Sequence, residues 1–147
     1  NSFWSSEERN QNGALSQAGM AAVYNTISVG NDQPTIIFGR RQGYEAYEAL
    51  LTGQIRYSDT DMADGGFQNL LFKGAPITFD DNCEANALYF LNTKYIQLVA
   101  HSDVWFKPTP FVRPTNQDAV FSQLLCYGQL TISNRARQGR LHGITNG

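Results

Sequence analysis

The chain has few of the groups from which catalytic and metal sites are usually built. Its 147 residues include only two cysteines and two histidines. No zinc-ligand spacing occurs, and a disulfide-dense secreted scaffold is excluded. Cys83 and Cys126 read as the scattered reduced thiols of a cytosolic protein, with a single bridge left open. Neither sign of charge dominates: 11 Lys and Arg against 13 Asp and Glu give a net charge of −2. A dedicated nucleic-acid binder normally carries a basic surplus, so this balance argues against one. No apolar run approaches the ~18 residues of a membrane-spanning helix. The opening segment NSFWSSEERNQNG has neither a basic stretch nor an apolar one, and no signal peptide is expected in it. A phosphate loop and a nucleophile elbow are also missing, because RRQGYE after TIIFG lacks the glycine pattern that cradles phosphate.

What is present suits one α+β domain. Hydrophobic residues make up 41% and aromatics 12%, with nine Phe and seven Tyr, and a chain of this size buries roughly 68–70% of its unfolded surface. Leu15, Ala18, Ala22, Val23 and Ile27 recur at helical spacing, which predicts a helix from about Ala14 to Thr26. TIIF reads as a buried strand. The following QGYEAYEALLTG puts Tyr44, Tyr47, Leu50 and Leu51 on one helical face. Residues 54–66 are polar and aperiodic and read as a long surface loop. NLLF, APITF, ALYFL and YIQLVA are strand candidates. WFKPTPFVRPTNQD, with three of the five prolines, must be extended and irregular. Leu124, Cys126, Leu130 and Ile132 share one parity, the pattern of a long two-faced strand with Cys126 as a small buried member. RQGRLHGI is expected to return as a short strand.

The acidic residues invite a metal reading, and their spacing resists it. DTDMADGG starts like a calcium loop with Asp59 and Asp61. Ala63, Asp64 and Leu70 then stand where that loop needs a ligand, a glycine and a closing Glu. Asp80, Asp81 and Glu84, in FDDNCEAN, repel one another and have no histidine at a useful spacing. Asp and Asn bond to their own backbone and tolerate tight turns, so a turn is the cheaper account. Cys83 is expected exposed in that turn, its thiol pKa raised by the nearby carboxylates, and neither His101 nor His142 is tied to either thiol. Arg135, Arg137 and Arg140, with Arg113, form a basic group suited to a partner's carboxylates or to phosphates. The acidic balance of the chain favours protein contact. The residues alone therefore suggest a soluble α+β domain, structural rather than enzymatic. The alternatives are a metal-assisted hydrolase using Asp59, Asp61, Asp80 and Asp81, and a small nucleic-acid-binding module using Arg135, Arg137 and Arg140.

GFQNLLFKGAPITFDDNC, then YFLNTKYIQL, then NQDAVFSQLLCYGQLTISNRARQGRLHGI, in that order, resemble the C-terminal half of the major capsid proteins of tailed bacteriophages and prophages. The resemblance is specific over residues 65 to 145 and looser before residue 60, where TIIFGRRQGYEAYEALL fits the family's preceding strand and helix. It implies the Hong Kong-97-type capsid fold, with an axial domain over about residues 14–117 and a long strand over about 118–145 reaching the peripheral domain. The family's N-terminal arm, extended loop and spine helix would precede Asn1, in keeping with a chain that begins without Met. The implied function is a structural subunit, with no catalytic residue, metal or cofactor, that assembles into the pentamers and hexamers of an icosahedral phage head. The implied partners are copies of itself, with scaffold and portal proteins as further candidates. DNA would be enclosed without specific binding, and no membrane is involved. Assembly would take place in the bacterial host cytoplasm. Arg113, Arg135, Arg137, Arg140, Asp59, Asp61 and Asp64 become the candidate subunit-contact residues.

Overall fold

The structure is a computed structural model that describes residues 2–52 and 70–145. Asp59, Asp61 and Asp64, and the expected polar loop around them, lie outside the described residues. The chain divides into two compact units, residues 1–95 with 134–147, and residues 96–133.

In the first unit, helix α1 spans Gln17–Ile27 and starts three residues later than the periodicity predicts. Ser16 sets the start: its backbone is extended (φ −129°) and its Oγ accepts the Gly19 N–H at 3.1 Å, an N-cap that satisfies one orphan donor of the first turn. At the other end the Ser28 N–H returns to the Tyr24 carbonyl, and Gly30 turns the chain at φ +58°. Strand β2 (Ile36–Gly39) and helix α2 (Arg41–Thr52) follow as the periodicity predicts. The remaining strands are β3 (Leu70–Phe72), β4 (Ala75–Phe79), β5 (Leu88–Leu91) and, from the far end of the chain, β10 (Gly139–Ile144). They join a sixth, β1 (Glu7–Gly13), in one mixed sheet of order β1-β10-β5-β2-β4-β3. β1 runs parallel to β10 and β2 parallel to β4; the other neighbours are antiparallel.

The register places Ile37 beside both Ile77 and Phe90, and Leu141 beside Leu88. These residues share one sheet face and are fully buried together with Met20, Val23, Tyr24 and Ile27 of α1 and Tyr47 of α2. Burying each such large apolar side chain stabilises by about 1.5–3 kcal/mol, so this unit has a core of its own. Gly43 lets α2 come down on the sheet, since a Cβ there would lie 3.0 Å from Leu88 Cδ2. The opposite face carries Phe38, Thr78, Tyr89, Arg140 and His142, all half-buried.

Residues 96–133 contain β6 (Ile96–Ala100), β7 (Lys107–Pro108), β8 (Leu124–Leu125) and β9 (Gly128–Ile132). β6 pairs with β9 and β7 with β8, both antiparallel, and Val112 bridges Phe121. The long strand expected through this region is therefore broken. The Tyr127 N–H turns to the Val104 carbonyl at 2.9 Å while its own carbonyl accepts from His101, so the chain changes partners between β8 and β9. Cys126 sits at this break and is exposed, which corrects the expectation of a buried strand position.

Candidate functional site

The acidic tract 80–84 is resolved by what each carboxylate holds. The Asp80 Oδ1 accepts the Asn82 backbone N–H at 2.9 Å and its side-chain amide at 3.1 Å, closing an Asx-type turn. Asp81 faces Arg41 at 3.8 Å across open solvent. The Glu84 Oε2 accepts from the Tyr89 hydroxyl at 2.8 Å and from Arg140 Nη2 at 2.5 Å. The Tyr89 hydroxyl, with help from Arg140, holds the Glu84 carboxyl below the usual range. Three acids serve three separate structural ends, and among the described residues no group of three His, Cys, Asp or Glu could hold a metal ion. Cys83 is half-buried, and its thiol is pushed up chiefly by burial, with the Asp80 charge second.

The arginines likewise have different partners. Burial works against the charge of Arg140, but the Glu84 carboxylate outweighs it and raises the pKa. Its Nε is buried without a hydrogen-bond partner. Arg137 Nη1 donates to the Ile27 carbonyl at 3.3 Å, closing the C-terminus of α1. Arg135 is exposed in the 3-10 turn Arg135–Arg137. Arg113 lies in the other unit, 3.9 Å from Asp118, with both side chains largely in solvent.

Sequence reasoning missed a polar junction where YFLNTKY meets NRARQG. Asn92 and Gln138 are both buried, and each gives and takes one bond. The Asn92 N–H donates to Gln138 Oε1 at 2.9 Å, and Gln138 Nε2 donates to the Asn92 carbonyl at 3.1 Å. The Asn92 side-chain amide reaches on to Asp32 Oδ1 at 3.0 Å, while Tyr95 donates its hydroxyl to Asp32 Oδ2 and Lys94 approaches at 3.7 Å. The Tyr95 hydroxyl, then the Asn92 amide, hold the Asp32 carboxyl below its ordinary range. The only sequence signal was that both segments belong to the quoted motifs.

The second unit presents a surface of another kind. None of residues 96–133 is buried. Twelve of its large apolar side chains are exposed, among them Leu98 at 62%, Leu130 at 61% and Phe111 at 78%. Leu98 pairs with Leu130 and Ile96 with Ile132, so one ribbon face is an uncovered aliphatic stripe. Isolated two-stranded ribbons are marginal in water, and exposed apolar surface on this scale marks an interaction site.

This architecture is the α+β Hong Kong-97-type capsid fold. It is shared with the cyanophage A-1(L) capsid asymmetric unit, at a TM-score of 0.71 and 18% identity, over 98% of this chain and 53% of that one. It is shared as well with the holo-SrpI encapsulin complex of Synechococcus elongatus PCC 7942, at a TM-score of 0.67 and 14% identity, over 94% of this chain and 53% of that one. The chain thus spans about half the length of the solved chains it matches. No family model and no curated protein matches the sequence.

Proposed function

We propose that this chain is part of a structural subunit that assembles with copies of itself into a capsid-type protein shell. The observation that carries the reading is the unit 96–133: it has the backbone order of a folded hairpin and not one buried residue. Ordering a residue costs about 1–2 kcal/mol in backbone entropy alone, and this hairpin, with only half-buried apolar side chains such as Val104 and Leu125, has little burial to offset it. Its partner surface must therefore lie outside it. Twelve exposed apolar side chains amount to on the order of 1,000 Å², comparable with the ~800 Å² that each partner contributes to a stable interface.

In finer detail we propose the phage or prophage form, an icosahedral head of pentamers and hexamers assembled in the host cytoplasm, enclosing DNA and meeting scaffold and portal proteins. The likeness to a cyanophage capsid supports it. Among domain roles, the first unit with its own core is proposed as axial. The stretch over about residues 118–145 is proposed as the part reaching the peripheral domain, its residues 118–133 belonging to the unit that clusters apart. Arg113 and Arg135, the more exposed arginines, are the stronger subunit-contact candidates; Arg137 and Arg140 already serve partners within the chain. The likeness to an encapsulin supports a second reading, a non-viral shell of the same fold.

Electron microscopy of the purified full-length protein tests both. Closed particles or capsomers are expected, and a strictly monomeric full-length protein would sink the proposal. Nuclease-protected DNA inside the particles supports the phage form, and particles without it the encapsulin form.

A further inference from the structure

Among the described residues β6 and β9 are both edge strands, since their sheet has no other member there. Their sequences, IQLVA and GQLTI, contain neither a charge nor a proline. Native proteins usually guard exposed edges with such residues, and this chain does so elsewhere: the edge strand β1 begins Glu7-Glu8-Arg9.

The register fixes which backbone groups are free. The His101 N–H donates to the Tyr127 carbonyl at 2.9 Å, one step beyond the Ala100–Gly128 pair. In an antiparallel ladder, bonded pairs alternate with pairs whose N–H and C=O point away from the partner strand. Ile96, Leu98 and Ala100 on β6, and Gly128, Leu130 and Ile132 on β9, therefore turn their amides outward. On the face these residues share, Leu98, Leu130 and Ile132 are exposed, while the Trp105 ring lies against Gly128.

Resting on the reading of the chain as a shell subunit, we propose that the β6–β9 ribbon is a strand-addition edge for a second copy of this chain, joined by outward backbone groups and extending one apolar face across both copies. Electrostatics favours a like partner. Residues 96–133 carry two acids, Asp103 and Asp118, and two bases, Lys107 and Arg113, so two copies approach without net repulsion, whereas a nucleic acid finds no basic surplus. Each copy brings identical edges and an identical stripe, the self-complementarity that a symmetric contact requires.

The test measures self-association of the full-length protein by sedimentation velocity, together with amide exchange of the associated form. The wild type is expected to associate with rising concentration and to protect the Leu98, Ala100 or Leu130 amides. Ala100→Pro or Leu130→Pro removes an outward N–H without taking a bond from the ribbon. At least one of them should weaken association about tenfold or more, the scale of one or two lost backbone bonds. Wild-type exchange needs no variant, so the test survives if a proline variant misfolds. If the wild type associates while all three outward amides exchange as freely as in the monomer, strand addition is wrong and the shell reading stands. A wild type that stays monomeric overturns both.

Discussion

Gln138 gives the sharpest check on how two distant segments are held together. Its side chain is 6% exposed and makes both its bonds to one residue, Asn92, itself 2% exposed. Gln138→Leu keeps the side-chain bulk but removes both partners, leaving the Asn92 backbone N–H buried and unpaired, while its carbonyl keeps the Tyr95 N–H at 3.3 Å. A buried orphaned N–H costs about 1–3 kcal/mol, so the variant should lose about that much stability. Urea unfolding followed by far-UV circular dichroism reads this loss in the unit that carries α1 and α2, as a lower midpoint at unchanged slope. Gln42→Leu, on the exposed side of α2, is the control, expected within about 0.5 kcal/mol of wild type. The Asn92 amide should also exchange faster in Gln138→Leu. A midpoint shift no larger than the control's would refute the reasoning, because it would mean that water reaches these groups in the native fold.

Two further outcomes follow from the same geometry. Gly139→Ala puts a Cβ 2.6 Å from Val23 Cγ1 and 3.1 Å from Ile27 Cδ1; β-branched side chains in a helix have little rotamer freedom, so thermal melts should report about 1–3 kcal/mol of overpacking cost. Asp32 and Glu84 both have folded-state pKa values below the ordinary carboxylate range, so the stability they contribute is fully present above about pH 4–5 and is lost as pH falls through the lowered folded values. Asp32→Asn and Glu84→Gln should each flatten the acid limb of stability against pH, and an unchanged limb in both would contradict the network.

Much of this fold was legible because its causes are local. Helical spacing through Leu15 to Ile27 and Tyr44 to Leu51 reports which face meets a core, and the runs around β2 to β6 report strands by the same logic. The tract at 80–84 was readable as a turn because Asp80 bonds to its own neighbour two residues on. The capsid-type resemblance came from ordered motifs, and the fold agrees with it.

The tertiary structure decided what no window of sequence contains. β1 is polar throughout, and its backbone bonds to β10 leave no signature in EERNQNG. Asn92 and Gln138 stand 46 positions apart and become a buried pair only when β5 and β10 lie side by side. Glu84 takes Arg140 for the same reason, and Asp32 takes Tyr95 because β2 lies beside β5. Alternation along β9 announced an apolar face, but whether anything covers a face depends on which other segments fold over it. Within residues 96–133 the Trp105 ring lies over the Gly128 end, and Leu98 and Leu130 stay exposed. Periodicity is a property of neighbours along the chain, and burial is a property of neighbours in space; the sequence could supply only the first.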